Sequence, residues 1–145
     1  MNREAELMRM VRFFETIAPE GLHERLAQVY ARDAQFKDPF NEVSGLAAIG
    51  GVFEHMFEQV HEPRFVVTTR VLQDSQAFLT WEFLFRMKRF SKETQCILGA
   101  THIIFDPDGM VAVHRDYWDA AEELYEKLPV LGSLMRWLKR RANQS

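Results

Sequence analysis

Between Gln95 and Asp119 the sequence reads as two strands joined by a tight turn, and this hairpin limits the folds open to the chain. Its arms, Gln95 to Phe105 and Met110 to Asp119, are rich in the β-branched and aromatic residues that suit a pleated surface. Between them, Asp106-Pro107-Asp108-Gly109 fits a turn: Pro107 presets φ, and Gly109 accepts a left-handed backbone. A period of two puts His114, Asp116 and Trp118 on one face of the second arm. A histidine, an acid and an indole in one row make a poor plain core and a good pocket wall.

The segments before the hairpin set the fold class. Apolar residues at helical spacing (Leu7, Met10, Val11, Phe14, Ile17) predict a helix over Glu4 to Ile17. Pro19 suits the first turn of a second helix, whose apolar face is Leu22, Leu26 and Val29. Alternation from Asp33 to Phe40 predicts a short strand ended by Pro39. Ser44-Gly45 opens a third helix running to about His61, stopped by Pro63. Strands follow over Arg64 to Leu72 and Gln76 to Arg89. Helices first and strands afterwards mean α+β: a strongly bent sheet, mixed or antiparallel, wrapped by the N-terminal helices into a cone with one open end.

At 145 residues the chain is expected to form one core domain, 1–121, with a helical extension over 122–145. A hydrophobic fraction of 47% with 12% aromatics excludes a disordered chain, and a net charge of −3 gives no electrostatic case for nucleic acid. The single cysteine, Cys96, excludes an intrachain disulfide and a cysteine metal cluster; it reads as a small buried residue. No apolar run reaches the roughly 20 residues of a membrane span and no signal peptide is evident, so a cytoplasmic protein is expected. The extension carries Leu124, Leu128, Leu131, Leu134, Trp137 and Leu138 with Lys127, Arg136, Lys139, Arg140 and Arg141. Such a basic amphipathic helix can lie on an anionic membrane; packing over the pocket mouth or along a partner subunit is the plainer alternative.

The long strand expected over Gln76 to Arg89 has two rows. One holds Trp81, Phe83 and Phe85, too apolar to face water; the other holds Glu82 and Arg86, which a sealed core would not tolerate unpaired. The simplest arrangement has Glu82 and Arg86 lining a wet or ligand-filled pocket, as an ion pair or as a grip on a substrate carboxylate. The aromatic row is then buried on the outer face by a second copy of the chain, which predicts a homodimer.

Tyr30-Ala-Arg-Asp-Ala-Gln-Phe-Lys-Asp-Pro-Phe40, followed by Ser44-Gly45 and a helix, resembles the first-strand signature of the nuclear-transport-factor-2-like superfamily. Ketosteroid isomerase, limonene-epoxide hydrolase and the SnoaL-like polyketide cyclases belong to it, and His114-Arg-Asp-Tyr-Trp-Asp119 is similar to the terminal strand of the epoxide hydrolases. The resemblance covers about residues 5 to 120. It implies a cystatin-like cone and places Asp38 at the isomerase's general base. Phe14 and Thr101 stand at its two oxyanion donors, where Phe14 has nothing to donate. It places Asp116 at the hydrolase's water-activating aspartate, while the arginine and aspartate that assist there map onto Glu82 and Leu84. Both known mechanisms lose essential parts.

The candidate catalytic residues are therefore Asp116, His114 and Asp38, with Trp118, Glu82, Arg86, Thr101, Phe14 and Phe36 around the ligand. A structural ion pair for Asp116, turn chemistry for Asp38 and a hydrogen-bonded core position for His114 are the plainer alternatives. His102 depends on hairpin register. A three-residue loop sets it opposite His114 and inward; a four-residue loop pairs Thr101 with His114 and turns His102 outward. His23, His55 and His61 fall on helices, in solvated or capping roles. No ligand spacing is diagnostic of a metal, and no cofactor is expected. The leading function is acid–base chemistry (hydrolysis, isomerisation or cyclisation) on a small hydrophobic molecule with a polar group. A non-catalytic ligand binder and a dimeric scaffold with a filled cone are the alternatives.

Overall fold

The computed structural model describes residues 2–88, 93–120 and 140, and within them the α+β expectation holds. Three helices, α1 (Arg3–Glu15), α2 (Leu22–Val29) and α3 (Leu46–Gln59), accompany a six-stranded sheet of β1 (Tyr30–Lys37), β2 (Glu42–Ser44), β3 (Val60–Gln73), β4 (Gln76–Met87), β5 (Gln95–Phe105) and β6 (Val111–Tyr117). The strand order is β2-β1-β6-β5-β4-β3. Only the β1–β6 pair is parallel, so the sheet is mixed; it is curved and does not close. Among the described residues no helix is long and apolar enough to cross a membrane. The extension expected over 122–145 lies, apart from Arg140, outside the described residues.

Local chemistry sets the element ends. Asn2 caps α1, its side chain accepting from the Ala5 amide at 2.8 Å, and the helix buries Leu7, Met10, Val11 and Phe14 as its spacing predicts. Helix α2 starts at Leu22 behind Gly21 (φ 68°) at its N-cap, so Pro19 lies before the helix and not in its first turn. The third helix stops at Gln59, earlier than its expected end near His61. Val60 and His61 already pair with Met87 and Arg86 across the sheet, and the irregularity after them, with Glu62 at φ 52°, gives Pro63 a place with no ladder hydrogen bond to donate. The β5–β6 turn is held by Asp106, whose Oδ1 accepts from the amides of Asp108 and Met110 at 2.9 Å each. Helix α1 clasps it: Arg9 donates to the Gly109 carbonyl at 2.7 Å and Arg3 to the Asp106 carbonyl at 3.1 Å.

The facing of β4 reverses the expectation. Trp81, Phe83 and Phe85 lie on the concave side, opposite Val67 and Phe65 of β3 and Gly99 and Ile97 of β5, under α1 and α3. They are not an outer surface. Glu82 and Arg86 stand on the other row; Arg86 Nη2 pairs with Glu62 Oε1 at 3.0 Å, and neither residue lines the cavity. The physical reason is plain: the charged row keeps its hydration by facing water, and the aromatic row is buried within one chain by the helices. The convex face nevertheless carries exposed apolar side chains. Val71, Phe78, Leu98 and Tyr117 are 48–53% exposed. Cross-strand register sets Val71, Phe78, His102 and Arg115 in one row there, with Tyr117 and Leu98 in neighbouring rows.

Candidate functional site

Between the helices and the concave sheet lies a cavity of about 180 Å³. Its lining is mostly aromatic and aliphatic: Phe14 from α1, Val52, Phe53 and Met56 from α3, Phe36 from β1, and the β3–β4 rows. Its polar wall is Asp38 and Asn41 from the loop after β1, Thr101 from β5, and His114 and Asp116 from β6, with Trp118 beyond them. His55 and Gln59 of α3 also contribute, and His55 contacts Glu58. An apolar cavity of about 150 Å³ accommodates a benzene, so this one suits a single ring with a few substituents. Of the sequence candidates, Asp116, His114, Asp38, Trp118, Thr101, Phe14 and Phe36 come together here, while Glu82 and Arg86 do not.

Thr101, Asp116 and His114 of this wall belong to one continuous hydrogen-bonded chain. Trp81 Nε1 donates to Thr101 Oγ1 at 2.7 Å, and Thr101 donates to Asp116 Oδ1 at 2.6 Å. From the other side, His114 Nε2 lies 2.7 Å from the same Oδ1, and its Nδ1 lies 2.7 Å from the Tyr30 hydroxyl. Register makes this possible. Thr101 is opposite Asp116 and Ile103 opposite His114, with an irregularity between Ile104 and Phe105. That pairing matches neither loop length considered above, but it turns His102 outward, stacked on Phe78 at 4.4 Å and bonded to Gln76 at 2.8 Å. Phe36, opposite His114 in the parallel β1–β6 pair, packs on the imidazole at 4.6 Å, and Phe14 does so at 5.4 Å.

Burial grades the chain from closed to open. His114 is 1% exposed, whereas the Asp116 side chain is 17% exposed at the cavity wall. Asp116 Oδ1 takes both hydrogen bonds, and Oδ2 has no hydrogen-bond partner among the described residues. Burial, and then the negative charge of Asp116, push the Tyr30 phenol well above its ordinary range, so it stays protonated. The same two causes in the same order raise Asp38 from 3.8 to about 6, against the lowering effect of the Phe40 and Asn41 donors. Those donors, at 2.7–3.1 Å, also make Asp38 the anchor of the loop, as its position before a proline suggests. Among the described residues, no three histidines, cysteines or acids come together as a metal site.

Sequence reasoning passed over two members of the chain, Tyr30 and Trp81. Tyr30 stood in the quoted signature without a role, and Trp81 was assigned to the wrong face. The signal for Trp81 was Gly99 in the neighbouring strand. A Cβ there would stand 2.3 Å from Cη2 of Trp81, so the glycine lets the indole lie across β5 and reach Thr101. Gly99→Ala is expected to push the indole toward the cavity, breaking the bond to Thr101. The fold should lose about 1–3 kcal/mol, and the indole emission should shift. Unchanged melting and emission would contradict that packing.

A family model described as the SnoaL-like domain matches residues 10–125. No curated protein matches the chain. Among solved structures, the chain is similar to an NTF2-like protein of unknown function from Burkholderia pseudomallei, with a TM-score of 0.72 and 12% identity over 86% of this chain and 97% of that one. It is similar to a protein with a ketosteroid isomerase-like fold from Catenulispora acidiphila, solved with trimethylamine, at a TM-score of 0.70 and 12% identity, covering 83% and 89%. It is also similar to an LEH-like epoxide hydrolase from M. tuberculosis, at a TM-score of 0.68 and 14% identity, covering 90% and 96%. At such identities these likenesses establish the fold and leave the reaction open.

Proposed function

The chain belongs to the SnoaL-like family, and from that premise we propose that its cavity binds a compact, mostly apolar molecule and moves a proton on it. Asp116 is the base. Its Oδ1 is fixed by His114 and Thr101, and its Oδ2, with no hydrogen-bond partner among the described residues, sits at the wall of a mostly apolar cavity; this observation carries the reading. Asp38 is the second proton carrier, since a carboxyl held at about 6 is available as an acid near neutral pH. Abstraction of a proton from water or from a carbon next to a carbonyl by Asp116, with proton delivery to the substrate oxygen by Asp38, serves hydrolysis and isomerisation alike. Hydrolysis, the reaction named for the epoxide hydrolase among the structural neighbours, is within this toolkit.

A panel of one-ring epoxides and enolisable ketones, followed by proton NMR in deuterated buffer, tests the reading. Diol formation or deuterium uptake with the wild type, lost in Asp116→Asn, is the expected result. Equal rates in both proteins would remove Asp116 from the chemistry. Saturable binding without turnover would favour the non-catalytic binder instead. A scaffold with a filled cone is disfavoured by the cavity itself.

The assembly belongs to the proposal as a homodimer formed through the convex face, now on different residues from those first expected. Four large hydrophobics exposed on one sheet face are the supporting observation. Light scattering of the wild type is expected to give twice the chain mass, and Leu98→Arg with Phe78→Arg the mass of one chain. A monomeric wild type at micromolar concentration would refute the interface. A cytoplasmic setting completes the reading, supported by a sequence whose one cysteine can form no intrachain disulfide.

A further inference from the structure

The hydrogen-bonded chain ends in a donor at both extremes, and this fixes every proton along it. The Trp81 indole N–H can only donate, so Thr101 Oγ1 accepts from it and spends its own proton on Asp116 Oδ1. At the far end Tyr30 is 1% exposed, and among the described residues its hydroxyl has one hydrogen-bond partner, His114 Nδ1. A buried phenol proton pointed anywhere else would be orphaned, so it goes to Nδ1. Nδ1 therefore carries no hydrogen, and His114 holds its proton on Nε2, donated to Asp116 Oδ1. Both ends drive their protons inward, and they converge on one carboxylate oxygen.

We propose that Tyr30 is a positioning residue: it locks His114 in the Nε2–H tautomer and, through it, pins Asp116 so that Oδ2 alone is offered to the substrate. The other tautomer would bring the Nε2 lone pair against Oδ1, repelling the carboxylate it now holds. Packing fixes the ring's place but not its tautomer. Phe36 and Phe14 contact the imidazole without offering hydrogen bonds, and Tyr30 stacks on it at 5.9 Å and 18°. Among the described residues, only the Tyr30 hydroxyl meets His114 Nδ1 on the side away from Asp116. The consequence for turnover rests on the acid–base reading above; the tautomer itself does not.

The test follows from that separation. In protein labelled with ¹⁵N at histidine, two-bond proton–nitrogen correlation reads the tautomer directly. His114 of the wild type is expected to show an unprotonated Nδ1 and a protonated Nε2. Tyr30→Phe keeps the ring and its packing but removes the hydroxyl, so the separation between the two nitrogen signals should narrow, with Asp116 alone left to favour Nε2–H. Exchange on the probe substrate should fall roughly 10- to 100-fold, the scale on which orienting partners of histidines act at metal sites. In a His114→Gln background, where the amide supplies a donor in place of Nε2–H, adding Tyr30→Phe should cost nothing further.

A wild-type His114 protonated on Nδ1, or a tautomer unchanged in Tyr30→Phe, overturns the assignment. An additive loss in the double variant does so as well, because Tyr30 would then act by a route other than His114. If the signals behave as expected while no probe turns over, the tautomer lock stands and the acid–base function falls.

Discussion

Replacing Asp116 by asparagine is expected to lower proton exchange or hydrolysis by about 10²–10⁴, the range contributed by a positioned general base. The substitution is chosen because it leaves the surroundings satisfied. An asparagine Oδ1 accepts from His114 Nε2–H and Thr101 O–H as the carboxylate does. Its amide nitrogen replaces Oδ2, which has no hydrogen-bond partner to lose among the described residues. The melting temperature should therefore move by no more than a few degrees, separating lost chemistry from lost structure. A second readout needs no substrate. The Asp116 charge is one of the two causes that raise Asp38, so the Asp38 carboxyl, followed by ¹³C NMR, should titrate lower in the variant. An unshifted Asp38 would mean the two acids do not share the cavity electrostatically.

Much of this site was legible in the residues alone. Period two sufficed to place His114 and Asp116 on one wall, because β6 pairs regularly there and a strand offers only two faces; Trp118, just past the end of β6, lines the same cavity. Helix α1 was equally readable, since a stripe of Leu7, Met10, Val11 and Phe14 has one solution at a period of 3.6. The facing of β4 was not. Its rows both contain large apolar residues, Trp81, Phe83 and Phe85 against Phe78 and Leu84, so alternation leaves the parity undecided. It is decided by which row can pack with Phe65, Val67 and Ile97 beneath helices. Reasoning that charge must line a wet pocket inverted it, although a charged row most simply faces water. The link from Tyr30 to His114 spans 84 residues and depends on β1 running parallel to β6. No local pattern carries a contact of that kind.

Asp38→Asn is expected to stabilise the protein at neutral pH and to flatten part of its pH dependence. In the folded protein Asp38 is raised from 3.8 to about 6, chiefly by burial and next by the charge of Asp116. The folded chain thus holds this proton more tightly than the unfolded chain does. The stabilisation it brings is complete below pH 3.8 and lost as pH rises through about 6. A shift of this size corresponds to about 3 kcal/mol, of which about 2 kcal/mol falls between pH 4.5 and 7.5. Asparagine has no such titration, and its Oδ1 can still accept from the Phe40 and Asn41 amides that anchor the loop. Its amide meets that of Asn41, at a cost of about 1 kcal/mol unless the Asn41 side chain turns over. The decisive quantity is the difference in unfolding free energy between variant and wild type, in which every other titration cancels. It should move in the variant's favour by about 2 kcal/mol from pH 4.5 to 7.5, roughly 4–8 °C in melting temperature for a domain of this size. Parallel stability curves would show that Asp38 titrates alike in the folded and unfolded chain. The cavity would then hold a single proton-handling carboxylate, Asp116, and the acid of the proposed pair would have to be sought elsewhere on its wall.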